Sequence, residues 1–331
     1  MTLMSVLGPV EESELGRVLV HEHVRVAFAG WDLDPRGTIG RDEEIATAVG
    51  RMRELQEFGV RTFVDPCPIE LGRDVTLLKE VSERTGMHIV AATGFYHEED
   101  GMGIPYYWRM RWVEEIAELY LHEIQNGIDG TGIRPGVIKT ATSKPVGRHD
   151  LKILAATGIA ARESGLAVIT HTTHAAGVEE QLEAFEKAGV DPSRCLIGHQ
   201  DEQKDYDVLL KIVERGHFVG FDRIGISRLA ADEHRADNIA RLVRDGYAGQ
   251  ICLSQDHMCY DAHPRPAYWI PPNRAEEVFR DIKPVADEEL WGRSHTYMFT
   301  SFFPLLHERG VSQEEIDLML TENAVRLLTG K

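Results

Sequence analysis

Near the amino terminus the chain reads Val18-Leu19-Val20-His21-Glu22-His23. This is a short apolar strand pattern that ends in two histidines separated by one residue. Side chains alternate across a strand, so His21 and His23 are expected on one face. Two neutral imidazoles side by side are half of a metal site. The same three residues also suit a surface strand that merely carries two histidines. What decides is whether the rest of the chain brings further ligands to matching positions.

The elements that would position them recur along the chain. Strand patterns at 60–65, 88–94, 136–140, 166–171, 195–199, 217–223 and 250–256 follow the first one at 18–23, and helical spacing follows each. After the first strand and a mixed loop, for example, Asp42 is a good N-cap. Ile45, Val49, Met52, Leu55 and Phe58 then repeat at helical intervals until Gly59. Eight strands alternating with helices predict an α/β fold, a (β/α)8 barrel. A doubly wound sheet would usually carry a glycine-rich phosphate turn after its first strand, and none is present. No linker or low-complexity tract breaks the chain. The expectation is one domain over residues 1–331, with a turn-rich lead-in through Gly16 and a long loop after the eighth strand.

Composition narrows the function. With 43% hydrophobic and 27% charged residues, the 331-residue chain can bury a sizeable core. A formal net charge of -18 argues against nucleic acid and anionic membrane surfaces as partners. No segment has the apolar length of a bilayer span, and the first residues lack the basic start of a signal peptide. Cys67, Cys195, Cys252 and Cys259 form no Cys-x-x-Cys pair, so buried thiols in a reducing compartment, the cytoplasm, are expected.

In such barrels chemistry sits at the carboxyl ends of the strands. Those ends carry His21 and His23, Asp65, Lys139, His171, His199, Arg223 and Asp256. Four histidines and an aspartate thus converge from strands one, five, six and eight. Nitrogen and oxygen ligands without thiolate suit zinc, cobalt, manganese or iron. Five of them exceed what one open catalytic zinc needs, which points to two divalent ions. Lys139 is the odd member, because an ammonium has no lone pair. It could bind an anionic substrate group or form a Schiff base. Alternatively carbon dioxide could convert it to a carbamate, whose two oxygens can bridge metals. Composition does not choose between these.

The sequence resembles the phosphotriesterase family of the amidohydrolase superfamily, and more closely its phosphotriesterase-like lactonase branch. The motifs that carry the resemblance are Val20-His21-Glu22-His23, Gly136-Val137-Ile138-Lys139, Ile169-Thr170-His171, Ile197-Gly198-His199, Gly220-Phe221-Asp222-Arg223 and Ser254-Gln255-Asp256. They occur in the family's order over nearly the whole chain. Leu7-Gly8-Pro9 and Thr321-Glu322-Asn323-Ala324 also match, without the proline that often follows the asparagine. The resemblance implies that Lys139 is a bridging carbamate. His21, His23 and Asp256 would hold one ion, and His171 and His199 the other. A hydroxide shared by the ions would attack, and Asp256 would take its proton and pass it to the leaving group. A homodimer is also implied, with Phe28 and Trp31 of the first loop as a candidate surface.

Arg223 and Tyr96 bear on the substrate. Specialised phosphotriesterases tend to have histidine at the position of Arg223, whereas the lactonase branch tends to have arginine. Tyr96 matches a lactonase-branch tyrosine that lies over the metals. Glu202 stands where many relatives place an aspartate. Arg223 could instead pair with Asp222, and Tyr96 could be core. The loop after Asp256 holds Met258, Cys259, Tyr260, Tyr268 and Trp269, with Pro266, Pro271 and Pro272. Its aromatic character suits a pocket wall for an acyl chain, together with Phe28 and Trp31. His257 would point away from Asp256 on a continued strand, and His174 is expected to be structural. The expected activity is therefore a lactonase that opens N-acyl-homoserine or related lactones, a quorum-quenching reaction, with side activity on organophosphate triesters. Phosphotriester or amide hydrolysis is the alternative, and a metal-bearing binding protein a third reading.

Overall fold

The strands are apolar along both faces, which suits a parallel sheet covered on each side. A computed structural model describes residues 2–35, 39–98, 103–262, 284–285 and 287–330. A two-stranded antiparallel hairpin comes first, β1 (Thr2–Ser5) and β2 (Gly8–Glu11). It replaces the expected turn-rich lead-in, because Leu3 and Val10 alternate inward against the barrel while Thr2 and Glu11 stay outside. Then come β3 (Arg17–Leu19), β4 (Val60–Asp65), β5 (His88–Gly94), β6 (Val137–Thr142), β7 (Ala167–Thr172), β8 (Cys195–Ile197), β9 (Phe218–Phe221) and β10 (Ile251–Leu253). These eight form one parallel sheet in sequential order, the (β/α)8 barrel.

The seam between β3 and β10 is closed above the strands. There Asp256 N donates to His21 O (3.1 Å), His23 N to His257 O (2.8 Å) and Cys259 N to His23 O (3.0 Å). His23 also forms an isolated parallel bridge with Met258.

Alternation sorts the side chains into two layers. Val18, Val64, Val137, Ala167, Ile169 and Phe218 fill the barrel, sealed below by Leu3, Val10 and Leu327. Phe63, Ile138, Val168 and Val219 face out and pack on the helices through Ile45, Leu78, Ile153 and Phe185. Lys139 and His171 therefore continue the inward rows of β6 and β7. Helices Arg41–Gln56, Val75–Thr85, Val113–Asn126, Arg148–Ser164, Val178–Ala188, Tyr206–Glu214 and Asp232–Arg244 surround the sheet. The first begins at Arg41 after Gly40, and Asp42 lies in its first turn instead of capping it. Asp74 does cap the second, accepting from the amides of Thr76 and Leu77. All four cysteines are buried and unpaired. Among the described residues no helix is long and apolar enough to cross a membrane.

Four strands stop short of their expected ends. The residues expected to finish them, His21 and His23, His199, Arg223 and Asp256, lie in the turns beyond. His199 (φ 57°) and Asp256 (φ 54°) adopt left-handed backbone, which β-ladders do not accommodate. The alternation argument for His21 and His23 thus reached the right face for an incomplete reason, since only His23 keeps a bridge.

Candidate active site

Two carboxylates organise the histidines. Asp222 Oδ2 lies 2.8 Å from His21 Nδ1, and its Oδ1 lies 2.8 Å from His199 Nδ1. Asp65 Oδ1 meets His23 Nδ1 at 3.0 Å. An ionised carboxylate only accepts, so these contacts place hydrogen on Nδ1 and leave the Nε2 lone pairs of His21 and His199 to the mouth. On that side Asp256 Oδ1 lies 3.3 Å from His23 Nε2 and 3.7 Å from His21 Nε2, and Oδ2 lies 3.7 Å from His199 Nε2. The His171 ring stands edge-on to His199, with centroids 4.5 Å apart. Lys139 Nζ is 2.9 Å from His21 Nε2. All six residues expected to ligate metal are therefore brought to one place.

The surroundings fit a cation. His199 Nε2 is buried and has no hydrogen-bond partner, an arrangement that costs free energy unless something occupies its lone pair. Carboxylates face His23 on both ring nitrogens. Burial would lower its pKa, but Asp256 and Asp65 outweigh burial and raise it to about 9. His21 is pushed the other way, to about 3, by burial and then by Lys139, so its Nε2 is unprotonated near neutrality and accepts from Lys139 Nζ. Against burial, His21, His23, His199 and Arg223 hold Asp256 well below the usual carboxylate range. Burial lowers Lys139 to about 8, against the attraction of Asp256 and Asp222. No carboxylate lies within ion-pairing distance of its Nζ among the described residues.

The cluster of Asp222 with His21 and His199 involves the Nδ1 atoms and so orients ligands. A third cluster, His23, Asp65 and Cys67, is unsuited to metal. Burial holds the Cys67 thiol well above its usual pKa, and its Sγ donates to Leu71 O.

Arg223 pairs with Asp256, Nε to Oδ2 at 3.0 Å, and not with Asp222. Its Nη1 is 3.6 Å from Glu202 Oε1. Tyr96 is half-buried at the mouth, its hydroxyl 3.3 Å from His171 Nδ1. Phe28 and Met258 line the pocket with Val26, Leu71, Ile226 and Leu229. Three expected wall residues do not. Trp31 is held under the Arg25 guanidinium (5.0 Å), Cys259 lies in the main core, and Tyr260 is buried with its hydroxyl donating to Glu44 (2.9 Å). His263, Tyr268, Trp269 and the three prolines lie outside the described residues.

His257 is fully buried against His295, as expected of a structural residue. His174, in contrast, reaches the pocket rim on a left-handed turn (φ 50°) and meets Glu202 Oε2 at 2.8 Å. Sequence reasoning missed the bridging role of Asp222, although it lies inside a quoted motif. It missed Glu22, whose buried carboxylate accepts from Ser254 Oγ and the amides of Gln255 and His257. It also missed His97, a buried pocket residue that burial lowers to about 4.

Barrel and mouth together define a class, the metal-dependent hydrolases built at the carboxyl ends of a (β/α)8 sheet. The model of the phosphotriesterase family matches residues 1–328, and the chain belongs to that family of binuclear metal hydrolases. It is 33% identical to the aryldialkylphosphatase of Saccharolobus solfataricus over 318 residues, 95% of each chain. Its fold is similar to the organophosphorus hydrolase from Deinococcus radiodurans (TM-score 0.88, 31% identity, covering 99% of this chain and 97% of that one). It is also similar to a structure described as engineering of organophosphate hydrolysis from a weak promiscuous lactonase template (TM-score 0.86, 31% identity, covering 99% and 100%).

Proposed function

We propose that the protein is a lactonase acting on N-acyl-homoserine or related lactones, with side activity on organophosphate triesters. His21, His23 and Asp256 would hold one divalent ion, zinc being the simplest choice, and His171 and His199 a second. Lys139 would join them as a carbamate. A buried lysine with no carboxylate in ion-pairing distance among the described residues, and with its pKa lowered to about 8, can supply the free amine that reacts with carbon dioxide. Bound ions supply Lewis acidity and a nucleophile from water near neutral pH.

The observation that carries the substrate assignment is the contact of Arg223 with Asp256. Asp256 accepts a proton during attack and must dispose of it. Arginine holds its proton throughout the working pH range, so it cannot relay one outward. The proton is then best given to the leaving oxygen on the spot. That suits a lactone, whose poor alkoxide leaving group stays tethered in the site, better than an aryl phosphotriester. Tyr96 would donate to the ring oxygen, and the apolar wall of Val26, Phe28, Leu71 and Met258 would take an acyl chain. Such an enzyme would quench acyl-lactone signals. Buried, unpaired thiols support a cytoplasmic setting.

Metal content measured with hydrolysis of a lactone panel and one aryl phosphotriester, before and after chelation, tests this reading. About two ions per chain, and lactone turnover that exceeds triester turnover and disappears on chelation, are expected. Two ions without lactone turnover would move the substrate to a phosphoester or amide.

A further inference from the structure

We propose that Arg235, on the helix Asp232–Arg244, is a positioning residue that sets Asp222 and Arg223 in register and fastens the pocket wall that follows them. The inference rests on the reading above only in taking this mouth as the place of hydrolysis.

The Arg235 guanidinium is completely buried. Burying such a charge costs several kcal/mol unless its donors are satisfied, and here they are. Nε donates to Asp201 Oδ1 (2.8 Å), Nη1 to Asp232 Oδ1 (2.7 Å) and to Ala230 O, and Nη2 to Ile226 O (2.8 Å). Asp201, itself fully buried, turns the contact toward the site. Its oxygens accept from the amides of Asp222 (3.1 Å) and Arg223 (3.2 Å). Asp222 then orients His21 and His199, and Arg223 reaches Asp256. Two steps therefore separate Arg235 from the groups that face the reacting centre.

The other two donors grip the carbonyls of Ile226 and Ala230. Between and at these points lie Ile226, Arg228 and Leu229, which line the pocket. The helix itself does not depend on the guanidinium for its seat, since Ala236, Ile239, Ala240 and Leu242 bury its apolar face. The guanidinium's donors go instead to one loop, its flanking Asp232 and the carboxylate that sets that loop's start. β9 ends at Phe221, so no ladder hydrogen bond fixes Asp222 or Arg223, and the Arg235–Asp201 pair takes that place.

The test uses metal-loaded enzyme carrying Arg235→Lys or, should that variant fail to fold, Asp201→Asn. kcat and KM are measured well below Tm on whichever of lactone or aryl phosphotriester the wild type turns over. The ratio of kcat/KM between long- and short-chain substrates, and the rate of metal loss to a chelator, are measured alongside. Expected are a kcat lower by about tenfold or more, a changed chain-length ratio, and metal loss faster by about threefold or more. A variant with lower Tm, but with kcat, chain-length ratio and metal loss all within about twofold of wild type, would reduce Arg235 to a structural anchor and overturn the proposal. A wild type inactive on lactones would count against the lactonase reading alone, because the triester and the chelator still report on Arg235.

Discussion

Asp222 and Asp256 share the same histidines and play opposite parts. Asp222 takes the Nδ1 side and fixes the tautomer, while Asp256 stands on the Nε2 side, where reaction would occur. Asp256→Asn keeps the size and removes the basic oxygen. Turnover should fall by about 10²- to 10⁴-fold, the usual contribution of a general acid–base group. Full turnover in a kinetic assay of the metal-loaded variant would remove the proton role from Asp256. The residues expected to hold metal were legible because each is a distinctive type at the end of a strand pattern. The parts played by Asp222, Asp65 and Glu22 were not, because their partners lie far away in sequence. His21 and Asp222 are 201 residues apart and His23 and Asp65 are 42 apart, distances that no local pattern encodes.

At the scale of elements, the loops are tied to one another as well as to their strands. Glu70, in the loop after β4, accepts from the amide of Tyr96 in the loop after β5 (2.6 Å). Burial raises its carboxyl to about 7 from an ordinary 4.5. A raised folded-state pKa means that this group's contribution is complete below about pH 4.5 and is lost as pH rises through about 7. Glu70→Gln keeps an acceptor without the charge. It should leave stability near pH 4.5 little changed and raise it at pH 8 by an amount of order 2 kcal/mol. Denaturant unfolding of both proteins across that window checks this, and parallel pH curves would refute it.

The strands were legible as apolar runs between glycines and polar turns, and the helices from their spacing. The strand ends were not. Extended and left-handed residues look alike in sequence, so His199 and Asp256 read as continuing strands that had in fact turned. The hairpin at the start was missed because β2 opens on Gly8 and Pro9, residue types that read as a turn.

At the scale of the molecule, one surface stands out. Tyr106, Tyr107, Met110 and Trp112 are 75%, 61%, 65% and 77% exposed within seven positions. Together they offer roughly 500 Å² of mostly apolar side chain, a large share of the ~800 Å² each partner gives a standard interface. We propose this strip as the contact of a homodimer; it exposes more apolar surface than Phe28 and Trp31, which are both half-buried. Trp112→Glu should shift the sedimentation profile from dimer to monomer with the fold intact. A wild type that is already monomeric at micromolar concentration would end the idea.

The closure of the barrel above β3 and β10 has a consequence for the order in which the molecule acquires its parts. The hydrogen bonds that join His21 and His23 to Asp256, His257 and Cys259 bring together segments separated by most of the chain. Each closes a very long loop, the kind of contact that forms slowly and late. By the time the sixth barrel strand has been synthesised, His21, Lys139, His171 and His199 are all present in the chain or follow within two residues. The chain gains Asp256 only with the closing turn. Barrel completion and site completion are then a single event, and an unfinished barrel has no competent mouth.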